Sequence, residues 1–213
     1  MARQVVVIGL GRFGSAVATT MHQLGYEVLA IDTDSRLVQQ MLPHVTHAVQ
    51  ASGADREAMN EIGLREFDAA VVAISSNIEV SILTTLNLKE LGMPYVISKA
   101  SNDRHARILS GIGADRVIFP ERETGTRLAH GFASRAVLDY MDIGIGYGIS
   151  RIRPPDSFVG RSLGELALRD SYNLTLIAIV RKGEVIMHPN TRQTIEPNDE
   201  LIVAGGDEDL AKL

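Results

Sequence analysis

Gln4-Val5-Val6-Val7-Ile8 runs directly into Gly9-Leu10-Gly11-Arg12-Phe13-Gly14, and a second apolar run, Glu27 to Ile31, ends one residue later in Asp32. The first five residues form a continuous β-branched run of the kind found in strands buried on both faces. After them, Phe13, Ala16, Val17, Thr20 and Met21 recur at helical spacing. The unit is therefore strand, turn, helix. In that context the glycines have separable tasks: Gly9 permits the tight turn, Gly11 leaves no side chain to block a phosphate, and Gly14 lets helix and strand pack closely. The start of the helix adds N–H donors and a positive dipole end. Asp32 stands 18 residues after Gly14, near the spacing of roughly 20 expected for a ribose-binding acid. The other reading of Asp32 is a helix-capping loop shared with Asp34 and Ser35. A carboxylate there repels a 2′-phosphate, which disfavours NADP. Arg12 is either a solvent-facing residue of the first helical turn or a guanidinium fork for extra phosphate oxygens, on a triphosphate or across a subunit boundary.

Outward from this unit the alternation continues. Helix Ser35 to Met41, strand Thr46 to Gln50, helix Arg56 to Ile62, strand Ala69 to Ile74 and helix Asn77 to Leu91 come in turn. Strand Tyr95 to Lys99, helix Arg104 to Ile112, a short strand Arg116 to Phe119 and a helix from Glu121 to about Arg135 complete the series. Strands and helices in this order predict a Rossmann-like α/β domain over residues 1–135, a doubly wound parallel sheet in the order 3-2-1-4-5-6. Gly25, Gly53, Gly63, Gly92 and Gly111/Gly113 are expected where helices stop.

Beyond Tyr140 the rhythm changes. Gly144, Gly146 and Gly148 crowd together, with Pro154-Pro155 shortly after, so residues 136–147 are expected to form a linker or hinge. Residues 148–213 read as a small α+β lobe. It comprises strand Gly148 to Arg153, helix Ser162 to Leu168, strand Leu174 to Arg181, a turn at Lys182-Gly183, strands Glu184 to Met187 and Glu200 to Ala204, and a short helix from Asp207. A lobe of this size is marginal alone, which points to dimerisation.

Composition narrows the function classes. The 213 residues contain no Cys, which removes disulfides, thiolate metal sites and cysteine nucleophiles. The start, Met1-Ala2-Arg3, leads into an apolar run too short for a signal peptide, so the chain is expected to stay inside the cell. Apolar runs such as Ala69 to Ile74 fall far below the ~20 residues of a spanning helix; contact with a membrane would come through a partner. With 26 acidic against 21 basic residues and no basic lobe, nucleic acid is not an expected partner.

Two motifs compete with this reading. Tyr95 and Lys99 have the Tyr-x-x-x-Lys spacing of short-chain dehydrogenases, but that pair needs one helical turn and the segment reads as a strand. His44 and His47 are a weak metal pair, since Pro43 precedes them and no third ligand is near. Leu128 and Phe132, on the helix that carries Arg122 and Arg127, are read equally as core or as a contact with a symmetry mate.

The GLGRFG turn (9–14), the IDTD end of the second strand (31–34), AISSNIEVSILTTLNLKELG (73–92), SKASNDRHARILSGIGADRVIFPERETG (98–125) and the small C-terminal lobe together resemble the regulator-of-K+-conductance (RCK) proteins. Within these they are most similar to the cytosolic gating subunits of Ktr- and Trk-type K+ transporters. The resemblance implies binding of ATP, ADP or NAD(H), no catalysis, and assembly of dimers into an octameric ring. It also implies gating of a membrane K+ channel or transporter subunit from the cytoplasmic face. By position, Gly9, Gly11, Arg12, Phe13 and Gly14 would cradle phosphates, Asp32 would hold the ribose, and Thr33, Asp34 and Arg36 would flank it. Ser52 and Gly53 would line the adenine, Ile74, Ser75 and Asn77 would cover its other side, and Lys99 would approach the phosphates. Many relatives carry Asp where this chain has Ser52, so backbone contacts would substitute in base recognition. Glu121 matches the family's acidic residue beside a divalent cation, Mg2+ or Ca2+, although a Pro-Glu start also suits any helix. In the C-terminal lobe, Leu163, Leu166, Arg169, Asn173 and Leu174 would form either a cyclic di-AMP site or a dimer interface without a ligand. The other functional classes open to the sequence are an NAD-dependent oxidoreductase and a soluble NAD(H)-binding redox sensor.

Overall fold

The computed structural model describes residues 3–133, 136–210 and 212. The chain divides into two compact units, Met1–Pro120 and Glu121–Leu213.

In the first unit, β1 (Gln4–Ile8), α1 (Arg12–Gln23), β2 (Glu27–Asp32), α2 (Ser35–Met41), β3 (His47–Gln50) and α3 (Arg56–Glu61) precede β4 (Ala69–Val72), α4 (Ile78–Glu90), β5 (Val96–Lys99), α5 (Asp103–Gly111) and β6 (Arg116–Ile118). The sheet order is β3-β2-β1-β4-β5-β6 and every pairing is parallel, as the sequence predicts. The β-branched run explains the central place of β1. Val6 and Ile8 pack into a cluster with Met59, Leu64 and Leu88, while Val7 packs on the opposite face with Ala18, Val38 and Met41. A strand with two buried faces needs apolar residues at successive positions. The helices start on side-chain caps: Asp34, Asp55, Asn77 and Asn102 each accept a backbone N–H of the first turn. Gly25, Gly63, Gly92 and Gly113 come after helices in the left-handed region; Gly53 instead lies in the loop after β3, packed on α4.

The second unit departs from expectation in three places. It contains α6 (Pro120–Ala133), β7 (Val137–Gly144), β8 (Tyr147–Ile152), α7 (Leu163–Leu166), α8 (Leu168–Tyr172), β9 (Thr175–Arg181), β10 (Glu184–Met187), β11 (Glu200–Gly206) and α9 (Asp207–Leu210). Its antiparallel sheet has the order β10-β9-β11-β8-β7. First, residues 136–147 are not a linker: Val137–Gly144 is an edge strand hydrogen-bonded to β8, and the glycines serve a β-hairpin. Gly146, at φ +74, makes the turn, and Gly148 lies under the Tyr140 ring, where a Cβ would come within 2.1 Å of it. Secondly, α6 groups with this unit, so the first lobe ends near Pro120 rather than at 135; the expected helix end at Arg135 lies outside the described residues. Thirdly, the expected helix Ser162 to Leu168 is two helices broken at Ala167, which is left-handed at φ 44. Leu166 and Leu168 are both buried. Two residues apart on one helix they would face different sides, and the break turns both inward.

Among the described residues no helix is long and apolar enough to cross a membrane.

Candidate functional site

The first unit gathers its predicted residues at the carboxyl ends of its strands, where open parallel sheets place their ligands. Gly9 turns the chain at φ +96, and its N–H remains bonded to the Ile31 carbonyl at 2.8 Å. Gly14 lies so close to this turn that a Cβ would sit 1.8 Å from the Gly9 carbonyl oxygen. Gly11 differs from both. It is the residue before α1, its backbone is extended with no side-chain cap, and a Cβ there would meet nothing within 4 Å. Ser15 N–H is the first to find an intrahelical partner, the Gly11 carbonyl at 2.9 Å. Among the described residues no acceptor takes the N–H of Arg12, Phe13 or Gly14. Three donors without a protein acceptor and a dipole end therefore lie at the helix start next to the open space at Gly11, an arrangement suited to phosphate. Arg12 is exposed beside them.

Asp32 has work within the fold as well as toward a ligand. Its Oδ2 accepts the Leu10 N–H at 2.6 Å, tying β2 to the glycine turn, and its Oδ1 accepts the Asp34 N–H at 2.8 Å. Both readings of this residue meet in one place, because a carboxylate has about four lone-pair sites and the side chain is only half-buried. Asp34 caps α2 and pairs with Arg36, whose Nη2 lies 2.8 Å from Oδ2. The hydrogen bond from the Arg36 side chain holds the Asp34 carboxyl below its ordinary range and raises the guanidinium in return. Thr33 is exposed, with its carbonyl accepting from the Gln50 amide at 3.0 Å.

Across the cleft floor, Ile74 packs against Gly9. Ser75 is exposed, and its carbonyl accepts the Ser101 hydroxyl at 3.3 Å. Asn77 spends its side-chain oxygen on capping α4, at 3.1 Å from the Val80 N–H. Lys99 is 5% exposed, with its ammonium 5.7 Å from the centre of the Phe13 ring. Ser52 is half-buried and Gly53 buried. Sequence reading missed what holds this last loop: the Asn87 amide of α4, bonded to the carbonyls of Gly53 and Ala54. Asn87 lies among other buried polar residues of α4, Ser81, Thr84 and Thr85, so nothing local singled it out. His105, also missed, is 1% exposed; its Nδ1 accepts the Ser101 N–H at 3.2 Å, and burial pushes its pKa down.

The second unit holds Glu121, exposed in the first turn of α6. Among the described residues no three His, Asp or Glu side chains converge as a metal-binding group. Of the five residues predicted for a C-terminal ligand, Leu166 and Leu174 belong to the core and are not walls of an open site. Leu163 is half-buried, Arg169 is exposed, and Asn173 donates to Asp209 at 2.8 Å. Leu128 and Phe132, 62% and 81% exposed, are not core in this unit. As for the competing motifs, Lys99 ends a strand and Tyr95 precedes it, so the helical turn that a dehydrogenase pair requires is missing. His44 sits in a 3-10 turn and His47 in β3, without a third ligand among the described residues.

This is the architecture of a nucleotide-binding domain joined to a small antiparallel lobe, and comparison with known proteins gives it a family. The TrkA-N domain matches residues 5–120 and the TrkA-C domain matches residues 149–213; the chain belongs to this family. It is 39% identical over 212 residues to Ktr system potassium uptake protein C of Bacillus subtilis, covering 100% of this chain and 96% of that protein. Ktr system potassium uptake protein A of Vibrio alginolyticus is 34% identical, covering 98% and 95%. A solved structure of the GsuK channel bound to NAD shares the fold at TM-score 0.66 and 15% identity, covering 99% of this chain. This chain corresponds to 38% of that channel's length.

Proposed function

We propose that this chain is the regulatory subunit of a potassium uptake system, binding ATP and ADP at one site in its first unit and gating a membrane partner from the cytoplasmic side. The observation that carries the reading is the open space at Gly11, which a side chain could fill, next to three helix-start N–H donors that no protein acceptor takes among the described residues. The named relatives, both potassium uptake proteins that match nearly end to end, support the physiological setting. Arg12 rewards each added phosphate charge, so ATP and ADP compete and bind differently. Asp32 serves the ribose through its remaining lone pairs. Glu121 offers one carboxylate oxygen to a Mg2+ or Ca2+ ion bridging nucleotide phosphates of a neighbouring subunit, since hard cations prefer such donors. NAD(H) fits the same fold and is the competitor to test.

Gating arises from differential affinity. Taking a two-state population from 1:99 to 99:1 needs about 5.5 kcal/mol. Spread over eight sites of an octameric ring, that is roughly 0.7 kcal/mol each, about a threefold affinity difference per site. Self-association is supported by the exposed apolar side chains of Leu128 and Phe132 on α6. Potassium flux in vesicles carrying the membrane partner tests the reading: ATP is expected to raise flux and ADP to lower it. Flux indifferent to both nucleotides, or a monomer by light scattering in both, overturns it.

A further inference from the structure

Helix α4 buries an amide on a face made mostly of short polar side chains. Asn87 is 8% exposed and shares the buried part of the helix with Ser81, Thr84, Thr85 and Leu88. Burying an amide is costly unless its N–H groups find acceptors. They do, far away in sequence: Nδ2 donates to the Gly53 carbonyl at 3.1 Å and to the Ala54 carbonyl at 3.0 Å. Thr84 seals the same contact, because a Cβ on Gly53 would come within 2.5 Å of its methyl carbon. On the other side of the loop, Ala51 N–H donates to the Asp32 carbonyl at 3.1 Å. The loop after β3 is thus fastened at its carbonyls to α4 and at its start to the end of β2. Its amides are left over: among the described residues no acceptor takes the N–H of Ser52 or Gly53.

We propose that Asn87 is a positioning residue for recognition of an adenine base, holding this loop so that its main-chain N–H groups read the ring. The proposal rests on the nucleotide site of the first unit and gives it a base preference. Main-chain N–H groups donate only. They suit adenine N1, which accepts, whereas N7 accepts in both purines and does not discriminate. Guanine presents an N1–H donor on the same edge, and a donor facing a donor leaves both unpaired, which is unfavourable in a site sheltered from water. The Ser52 hydroxyl, which both donates and accepts, does not by itself choose between the two bases, so the choice falls to the backbone. Backbone recognition is only as selective as the backbone is fixed, and Asn87 fixes it.

The test compares ATP, ADP and GTP binding by calorimetry in the full chain. Asn87→Leu introduces a helix-forming, apolar side chain of similar size and leaves both carbonyls unclaimed. ATP and ADP are expected to weaken together by about tenfold, the equivalent of one to two lost hydrogen bonds. The ATP-to-ADP ratio should hold while the ATP-to-GTP preference shrinks toward one. Thr85→Val controls for general loosening of α4: it removes the 2.9 Å contact of Thr85 with Ser98 without touching the loop, and should lower the melting temperature while keeping the base preference. The proposal is overturned by a wild type indifferent to base, by an Asn87→Leu variant with wild-type preference, or by a Thr85→Val variant that loses as much preference as Asn87→Leu. Gly11→Asp separates the two layers of the argument. If it abolishes binding while Asn87→Leu changes nothing, only the positioning role fails; if Gly11→Asp binds ATP normally, the site itself fails and this proposal with it.

Discussion

Two glycine clusters, Gly9-Gly11-Gly14 and Gly144-Gly146-Gly148, are built from the same three uses of a missing side chain. In each, one glycine takes a left-handed turn, Gly9 at φ +96 and Gly146 at φ +74. One has no room for a Cβ, Gly14 against the Gly9 carbonyl and Gly148 against the Tyr140 ring, and one, Gly11 or Gly144, faces open space. The outcomes are opposite because the neighbours differ. The first cluster joins a parallel strand to a helix, and its amides stay unpaired at the helix start. The second joins two antiparallel strands and lies within their ladder. Glycine spacing alone announces a sharp approach of backbone. The element that comes after the glycines, helix or strand, decides whether that approach leaves donors for a ligand.

The carboxylates of the two units show the same contrast. Asp199, 1% exposed, accepts two guanidinium hydrogen bonds from Arg181 and the Glu196 N–H. Asp32 accepts two backbone bonds and keeps part of its surface. One is saturated by its own fold and the other is not.

The largest effect should come from Gly14→Ala, where the obstacle is a backbone oxygen that cannot swing aside. A loss of about 4 kcal/mol is expected in urea denaturation, and wild-type stability would show that the turn has room for a methyl group after all. Asp199→Asn ranks next, at about 3 kcal/mol near neutral pH, because a neutral amide at this buried position cannot accept both guanidinium bonds and the Glu196 N–H; the figure is at the lower end because Arg181 is partly exposed and keeps its pair with Glu196. Its pH dependence has a definite sign. Burial works to raise the Asp199 carboxyl, but the Arg181 hydrogen bonds, the Glu196 N–H and the Arg181 charge outweigh it and hold the pKa below 3.8. The contribution is therefore complete above about pH 4 and is lost as the pH falls through the depressed value. Acid titration of the variant should show a smaller loss of stability below pH 4 than wild type; an equal loss would assign acid sensitivity elsewhere.

Gly148→Ala should cost about 2 kcal/mol. The Tyr140 ring can move, but at the expense of its stack on His130 and its 2.7 Å bond to Asp207. Near-ultraviolet circular dichroism should report the tyrosine displaced, and an unchanged spectrum would mean that the hairpin shifts instead. Gly144→Ala, with nothing within 4 Å of the new methyl, should stay within about 0.5 kcal/mol of wild type. A larger loss would restore a special conformational role to the glycine-rich stretch.

The order of the first sheet was legible because its central strands are buried on both faces and write themselves as runs: Val5 to Ile8, Val28 to Ile31 and Ala70 to Ala73 are all buried, whereas the edge strands β3 and β6 are not and were placed by the alternation with helices. The edge strand Val137–Gly144 writes no such run. Only Val137 and Tyr140 are buried in it, and Asp139 and Asp142 face solvent, so its glycine-rich end dominated the reading. In the site, Gly9, Gly14 and Asp32 were legible from spacing that reports backbone geometry. Asn87 and Thr84 act on a loop more than 30 residues away, and no local pattern announces a contact of that range. Leu166 and Leu174 were misplaced for a related reason: an apolar residue beside an arginine looks the same in sequence whether it lines a surface or fills a core.

Calorimetric titration of ATP and ADP into wild type and Gly11→Asp tests the central claim most directly. The substitution falls at an extended backbone position with nothing within 4 Å of the new Cβ, so the variant should fold and melt like wild type. Its carboxylate would enter the open space beside the helix-start N–H groups and repel phosphate from it. The account predicts unchanged melting without nucleotide and no detectable binding of either nucleotide; binding undiminished in a normally folded variant would contradict it.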